Sequence, residues 1–181
     1  MGSFPPCPLT AMLHSSLIPT PLGEMLAIAS EQGLCLLEFA DQQHLEREIR
    51  QVRQARGGPE QDGMTPILEA AEAQLTAYFA GEREHFDLPL DLVGTPFQHT
   101  VWQALLQIPY GKTWSYGQEA AFIGRPTASR AVANANGQNK ISIIIPCHRV
   151  IGSDGSLTGY GGGLTRKQAL LALEAEHRER T

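Results

Sequence analysis

The 181-residue chain has no long apolar run, few cysteines and no overall excess of positive charge. No hydrophobic stretch approaches the roughly 18 to 20 residues of a membrane-spanning helix, and the opening residues lack the basic and apolar regions of a secretory signal. The three cysteines, Cys7, Cys35 and Cys147, form no CxxC pair and no obvious disulfide framework. These shortages argue against a membrane protein and a disulfide-stapled domain. They predict a cytoplasmic protein with at least one free thiol.

The composition is that of an ordinary globular protein, with 42% hydrophobic residues and a net charge of −5. This charge argues against a generally basic nucleic-acid binder, but its distribution is uneven. Residues 1–90 carry 5 Lys/Arg and 13 Asp/Glu, whereas residues 91–181 carry 9 and 6. A local basic face in the second half is suited to holding phosphates. The alternative, solvated charges with no partner, stays open on charge alone.

The first half, residues 1–90, reads as a small α/β domain with a structural role. Alternating segments at Gly23–Ala29 and Gly33–Phe39 predict a hairpin around a turn at Ser30. Asp41 is expected to cap a helix that runs towards Arg56, and Thr65 with Pro66 to start a second helix that ends before Gly81. No catalytic pattern occurs here, and the chain is expected to divide near residues 88–94.

The second half, residues 91–181, opens with a cap, a first-turn proline and an N3 amide at Thr95, Pro96 and Gln98. This pattern predicts a helix that Pro109-Tyr110-Gly111 breaks. Ser115 and Gln118 repeat the capping-box pattern and predict a short helix. A further helix is expected from Ala128 to about Asn136, so that the two short helices form a helix-turn-helix.

The second helix of this pair has an unusual predicted outer face. Helical periodicity places four residues on the inward stripe: Ala128, Ala131, Val132 and Ala135. It leaves four on the outer face: Arg130, Ala133, Asn134 and Gly137. Small outer side chains would let the helix approach a DNA groove, with one arginine able to reach between bases. A solvated arginine on an alanine-rich helix is the alternative.

The segment I-I-I-P-C-H-R-V, Ile143 to Val150, predicts a reactive site. The strand-forming isoleucines stop at Pro146, which cannot extend a ladder, so Cys147 is expected at a sheet edge. A thiol beside His148 and Arg149 suggests thiolate chemistry, because a free cysteine needs a base or a positive field to ionise at neutral pH. A Cys-His hydrolase and a regulator that only binds DNA are the competing interpretations.

A carboxylate in the C-terminal helix is also expected to have a partner. Thr165 and Gln168 predict a capping box, and Glu174 then falls on the apolar face of Leu170 and Leu173. A carboxylate on an apolar stripe needs a donor. The alternative is that Glu174 belongs to a fraying acidic tail.

Three segments together, P-C-H-R-V, R-P-T-A-S-R-A-V-A-N-A-N-G and T-G-Y-G-G-G-L-T-R-K, resemble the O6-alkylguanine-DNA alkyltransferases, or methylated-DNA-protein-cysteine methyltransferases. The resemblance spans Thr95 to Glu174 and includes I-P-Y-G-K and S-Y-G-Q. The first half is more weakly similar, through T-P-L-G and E-Q-G-L. The family's fold would be an α/β ribonuclease-H-like N-terminal domain followed by a mostly α winged helix-turn-helix alkyltransferase domain.

The resemblance implies direct repair of double-stranded DNA by one irreversible transfer of an alkyl group from O6-alkylguanine to Cys147. In the family the equivalent of His148 acts through a water on the cysteine, and the equivalent of Glu174 orients it. Tyr116 would donate to the displaced guanine and help to rotate the nucleotide out. Asn139 would brace the turn that carries the cysteine.

The resemblance also implies how substrate and DNA are bound. The amides of Tyr160 and Gly161, with the carbonyls of Cys147 and Val150, would read the base, and Lys167 would lie near the binding loop. The second helix would enter the minor groove, where Arg130 fills the vacated stack. The remaining DNA-facing residues would be Ala131, Ala133, Asn134 and Tyr116.

Departures from the family leave parts of the specificity open. Gly161 stands where family members often carry Ser or Ala, and Ser142 stands where some carry Pro. The resemblance therefore leaves open the tolerance of bulky adducts or pseudosubstrates. It also leaves open activity on O4-alkylthymine. Ser30 and Cys35 replace the Cys and His of a zinc site found in some relatives. We therefore expect no metal and no cofactor, although Cys7, Cys35, His14 and His85 could in principle meet. A monomer is the simplest expectation.

Overall fold

The computed structural model describes residues 12–179. Its first half contains three antiparallel strands in sequence, β1 (His14–Ile18), β2 (Met25–Ala29) and β3 (Leu34–Phe39). A short β4 (Gln61–Asp62) pairs in parallel with β1, giving the order β3-β2-β1-β4. The predicted hairpin is confirmed, and every residue of β3 is buried.

Two helices pack with this sheet, α1 (Leu45–Arg56) and α2 (Pro66–Phe79). The start of α2 is as predicted, because the Thr65 hydroxyl accepts a hydrogen bond from the Leu68 amide. The predicted cap of α1 is wrong. The residue before α1 is His44, whose side chain makes no capping bond, and Asp41 instead pairs with Arg166 at 2.7 Å. Arg166, which is distant in the sequence, binds the Asp41 carboxylate that was predicted to cap α1.

The second half is mostly helical. In chain order it contains α3 (Pro96–Leu105), β5 (Trp114–Ser115), α4 (Tyr116–Phe122), α5 (Ser129–Gly137), a 3-10 turn (Cys147–Arg149), β6 (Val150–Ile151) and α6 (Leu164–Glu179). Both predicted capping boxes, Thr95 with Gln98 and Ser115 with Gln118, are confirmed. The predicted cap of α6 is wrong, because the helix begins at Leu164 and Thr165 lies inside its first turn.

The isoleucine run before the cysteine is not a strand, contrary to prediction. Leu37 of β3 donates to the Lys140 carbonyl at 2.8 Å and accepts from the Ser142 amide at 2.9 Å, so only this short stretch joins the sheet edge. Ile143 then adopts a positive φ of 72°, a strained conformation for a β-branched residue. The chain therefore folds into tight turns, and Cys147 lies in the 3-10 turn rather than at the end of a strand.

The two halves share one hydrophobic core. Phe39 and Leu75 of the first half belong to the same buried cluster as Val101, Trp102 and Leu170 of the second. This packing fixes the position of the cysteine turn relative to β3 and α2. No helix within residues 12–179 is long and apolar enough to cross a bilayer.

Candidate active site and nucleic-acid interface

The side chain of Asn139 holds the turn that precedes Cys147. Its Oδ1 accepts from the Ile141 amide at 3.0 Å, and its Nδ2 donates to the Ile145 carbonyl at 2.9 Å. Asn139 is only 4% exposed, so these bonds are not shared with bulk water. The Cys147 amide donates to Ile145 at 2.8 Å, which continues the same tight turn into the cysteine. The side chain of Asn139 thus makes hydrogen bonds to this backbone segment where a strand would have bonded to a neighbouring strand.

Cys147 is partly exposed, yet enough protein surrounds its sulfur for burial to raise the pKa of the thiol to about 12. The hydrogen bond from Asn139 opposes this shift but does not cancel it. A thiol with this pKa stays protonated at neutral pH. Any nucleophilic reaction of Cys147 needs a base that removes the proton as the sulfur attacks.

Glu174 of α6 lies at the centre of a buried hydrogen-bond cluster. His148 Nε2 and the Tyr78 hydroxyl each lie 2.6 Å from Oε2. Arg149 binds both carboxylate oxygens, at 2.8 and 3.1 Å, and the Gly111 amide donates to Oε1 at 3.2 Å. The predicted need for a partner is confirmed, and four residues from three parts of the chain meet this carboxylate.

The charges in this cluster can be assigned from their surroundings. Burial alone would raise the pKa of Glu174, but the hydrogen bonds from His148 and Arg149, with the charge of Arg149, bring that pKa below its ordinary value. Burial lowers the pKa of His148 against the opposing influence of Glu174. The cluster is thus an anionic Glu174, a cationic Arg149 and a neutral imidazole.

The tautomer of His148 follows from these charges. A carboxylate only accepts hydrogen bonds, so Nε2 carries the hydrogen and donates to Glu174, leaving the lone pair on Nδ1. Nδ1 is buried and has no hydrogen-bond partner among residues 12–179. His148 therefore presents an unused base one residue after the thiol.

A second chain of contacts links the predicted substrate-binding residues. Lys167 is fully buried, and its Nζ donates to the carbonyls of Val150 at 2.6 Å and Thr158 at 2.8 Å. The Tyr116 hydroxyl donates to the same Thr158 carbonyl at 3.1 Å. Burial lowers the pKa of Lys167, and the neighbouring Cys147 sulfur opposes that shift. Tyr116 and Lys167 thus meet at the Thr158 carbonyl, and Lys167 also binds the Val150 carbonyl.

The loop after β6 carries Tyr160 and Gly161, the other two residues predicted to bind the substrate. Tyr160 is 8% exposed and its hydroxyl is buried without a hydrogen-bond partner among the described residues, whereas Gly161 beside it is exposed. The carbonyls predicted to read a base already have protein donors. Cys147 accepts from the Val150 amide, and Val150 accepts from Lys167. Each oxygen keeps a second lone pair for a ligand.

The inward face of α5 differs from the predicted stripe. Val132 and Ala135 are buried as expected, but Ala131 is exposed and Asn136 is buried in its place. Asn136 faces inward because its Nδ2 donates a hydrogen bond at 2.8 Å to Glu119, a fully buried carboxyl on α4. Apolar periodicity does not reveal such a pair.

The outer face of α5 is otherwise as predicted. Arg130, Asn134 and Gly137 are exposed and Ala133 is half-buried. Exposure of Ala131 adds one more small residue to this surface and agrees with its place among the DNA-facing residues. Arg130 is not part of the cysteine or glutamate clusters.

Four contributors to the site were not predicted from the sequence, and one of them is the Gly111 amide that donates to Glu174. Arg149 was noted only as a nearby guanidinium, although it supplies the charge that keeps Glu174 ionised. Tyr78 lies on α2, where it looks like one more core aromatic, and Thr158 contributes only through its backbone. No sequence signal distinguishes the last two.

The possible metal ligands do not come together within the described residues. No group of three His, Cys, Asp or Glu side chains in residues 12–179 could hold a metal ion. Cys35 is buried, with its sulfur 3.6 Å from Asp91. Cys7 lies outside the described residues.

Comparison with known proteins identifies the family. A family model described as the DNA binding domain of 6-O-methylguanine DNA methyltransferase matches residues 96–176, and one described as its ribonuclease-like domain matches residues 13–92. The methylated-DNA–protein-cysteine methyltransferase of Mycolicibacterium paratuberculosis is 54% identical over 169 residues, covering 92% of this chain and 94% of that protein. The protein of the same name from Bacillus subtilis, a constitutive form, is 44% identical over 84% of this chain and 88% of its own length.

Solved structures agree. The Mycobacterium tuberculosis O6-methylguanine methyltransferase superposes with a TM-score of 0.79 at 46% identity, covering 92% of this chain and 94% of the other. A structure of the same organism's protein in complex with DNA gives 0.78 at 46% identity, covering 91% and 94%. This chain belongs to the 6-O-methylguanine DNA methyltransferase family, with a ribonuclease-like first half and a DNA-binding second half.

Proposed function

We propose that this protein repairs DNA directly, by moving an alkyl group from O6-alkylguanine in a duplex to Cys147. The observation that carries the proposal is the partly exposed Cys147 thiol followed by a neutral imidazole with an unused nitrogen, which Glu174 anchors. The relatives are named for transfer from methylated DNA to a protein cysteine, and one is solved with DNA. We extend both properties to this chain.

The chemistry assigns one step to each group. His148 Nδ1 takes the thiol proton, through a water, as the sulfur attacks the alkyl carbon. A sulfur–carbon bond forms while the carbon–O6 bond breaks, and the electron pair passes to the guanine. The Tyr116 hydroxyl donates a proton or hydrogen bond to the base as this charge develops. A thioether is a poor leaving group, so Cys147 stays alkylated and each protein molecule acts once.

Asn139 and the binding loop support this step by positioning. The two Asn139 bonds keep the cysteine turn in place, which favours the alignment of sulfur and carbon that displacement requires. The amides of Tyr160 and Gly161, with the free lone pairs of the Cys147 and Val150 carbonyls, select guanine. Lys167, held close to Cys147, adds positive charge that stabilises the sulfur as it loses its proton.

For DNA, we propose that α4 and α5 act as a helix-turn-helix in which α5 enters the minor groove. Its small outer residues Ala131, Ala133 and Asn134 suit close approach to a narrow groove, and Arg130 fills the space of the extruded nucleotide. We propose that residues 1–90 and 91–181 form two domains, which pack together around one shared hydrophobic core. A reducing cytoplasm suits a thiol nucleophile.

The proposal is tested by intact mass spectrometry after mixing the protein with duplex containing O6-methylguanine. We expect a gain of one methyl group, mapped to Cys147. Cys147→Ser should show no gain, and Cys35→Ser, a change at the other described cysteine, should gain the methyl group as the native protein does. Methylation that persists in Cys147→Ser, or an unmodified native protein after exposure to excess lesion, would overturn the assignment.

A further inference from the structure

A groove of about 330 Å³ runs between the first half of the molecule and α5. One wall belongs to the start of α1, and the other belongs to α5 and the loop after β6. The residues that line it are His44, Arg47, Ala133, Asn134, Gly137, Gln138, Gly159, Tyr160 and Gly161. We call it the α1–α5 groove. It therefore joins the outer face of α5 and the substrate-binding loop to a part of the chain that carries no proposed role.

Arg47 gives this groove a positive charge that forms no salt bridge with a carboxylate in the described part of the chain. Two other arginines of α1 are paired, Arg53 with Glu60 and Arg56 with Asp91. Arg47 forms no ion pair within residues 12–179, and its Nε is buried with no hydrogen-bond partner there.

Glu48, the carboxyl next to Arg47 in the chain, is only partly ionised at neutral pH. Burial raises the pKa of Glu48 to about 7, although the charges of Lys140 and Arg47 oppose that shift. Glu48 is 2% exposed and accepts a hydrogen bond from Gln42 at 3.0 Å, so it faces the interior rather than the groove. Among the residues of α1, the one that lines the groove is Arg47, with its permanently charged guanidinium.

The helix that carries Arg47 also begins at this groove. His44 precedes α1 and its side chain makes no capping bond. The amides of a first helical turn have no partners within the helix, and the helix dipole adds partial positive charge at that end. His44 supplies a further imidazole donor at the same wall. Arg47, the helix end and His44 favour an anion, and the exposed Glu46 in the same turn, which does not line the groove, opposes it.

We propose that His44 and Arg47 bind a backbone phosphate of the DNA strand whose nucleotide is turned into the site. The inference rests on the proposed function. A strand that lies along the small outer residues of α5 while its base enters beside Tyr160 and Gly161 must pass its sugar-phosphate chain over the α1–α5 groove. The first half of the protein is then part of the DNA-binding surface and not only a scaffold.

The test compares Arg47→Gln and His44→Gln with Arg50→Gln, which removes an exposed arginine of the same helix that does not line the groove. Binding to a lesion-containing duplex is measured by fluorescence anisotropy over a range of salt concentrations. Loss of one phosphate contact should reduce the slope of log affinity against log salt by about 0.9. We expect this reduction for Arg47→Gln, a weaker effect of the same sign for His44→Gln, and the native slope for Arg50→Gln.

Methyl transfer from free O6-methylguanine base separates this contact from damage to the site, because the base has no phosphate. All three variants should methylate Cys147 from the free base at the native rate. An unchanged salt slope for Arg47→Gln, an equal loss for Arg50→Gln, or a matching fall in the free-base rate would overturn the proposal. Failure of the native protein to accept methyl from either substrate would instead overturn the proposed function.

Discussion

Replacing Glu174 by Gln should both destabilise the protein and slow its reaction. The change is isosteric, but it puts an amide NH2 where one carboxylate oxygen now accepts. Oε1 accepts from Arg149 and Gly111, and Oε2 accepts from His148, Tyr78 and Arg149. Whichever way the amide turns, its NH2 faces at least two buried donors, and Arg149 loses its counter-charge.

The size of the effect follows from burial. Removing one partner of a buried ion pair costs about 3–5 kcal/mol, because the other charge remains uncompensated. For a protein of this size each kcal/mol lowers the melting temperature by about 2–4 °C, so the midpoint should fall by roughly 6–20 °C. His148 also loses the acceptor that fixes its tautomer, and loss of general-base assistance should slow transfer at least about 100-fold.

Thermal unfolding followed by circular dichroism gives the first quantity. Single-turnover methyl transfer, measured well below the midpoint of the variant, gives the second. Glu69→Gln is the matched control, since Glu69 is an exposed carboxylate in the first turn of α2 and its loss should cost no more than about 1 kcal/mol. A Glu174→Gln protein as stable as this control, or one that transfers methyl at the native rate, would refute the reasoning.

Three further predictions concern the interior of the second half and its DNA contact. Burial raises the pKa of Glu119 from 4.5 to about 7, so the folded chain holds a proton that the unfolded chain releases between those values. The contribution of Glu119 to stability should therefore fall by about 3 kcal/mol as pH rises through that window, and Glu119→Gln should remove this part of the pH dependence seen by urea unfolding. Asn139→Ala should cost about 1–3 kcal/mol for each of the unpaired Ile141 amide and Ile145 carbonyl, and should slow transfer when unfolding and single-turnover rates are measured together. Arg130→Ala should slow repair of duplex more than reaction with free base, because only the duplex needs extrusion; equal slowing would count against that role.

The parts of the fold that could be predicted from sequence are those that local hydrogen bonds determine. Thr95 with Gln98 form their capping box from residues three apart, and the structure contains both bonds. The cap predicted at Asp41 failed because Arg166, far along the chain, binds that carboxylate. The isoleucine run failed for a related reason, since the side chain of Asn139 holds turns where β-propensity favours a strand.

The site was predictable where a residue's position on a helix conflicts with its polarity. Glu174 falls on the apolar face of its helix, and its burial confirms that it needs donors. The identity of one donor, Tyr78, was not predictable, because it lies 96 residues away on another helix. The raised pKa of Cys147 was not predictable, since local sequence shows the neighbouring His148 but not how deeply the sulfur lies.

Irreversible transfer to a single sulfur is tested most directly by counting the lesions that each protein molecule repairs. A known amount of protein is mixed with a large excess of duplex containing O6-methylguanine, and the lesions removed are compared with the methylated Cys147 formed. We expect repair to stop at one lesion per chain, with every Cys147 carrying a methyl group. Lesion loss that continues beyond this equivalence, or repaired DNA beside unmodified Cys147, would contradict a mechanism in which the cysteine is the final acceptor.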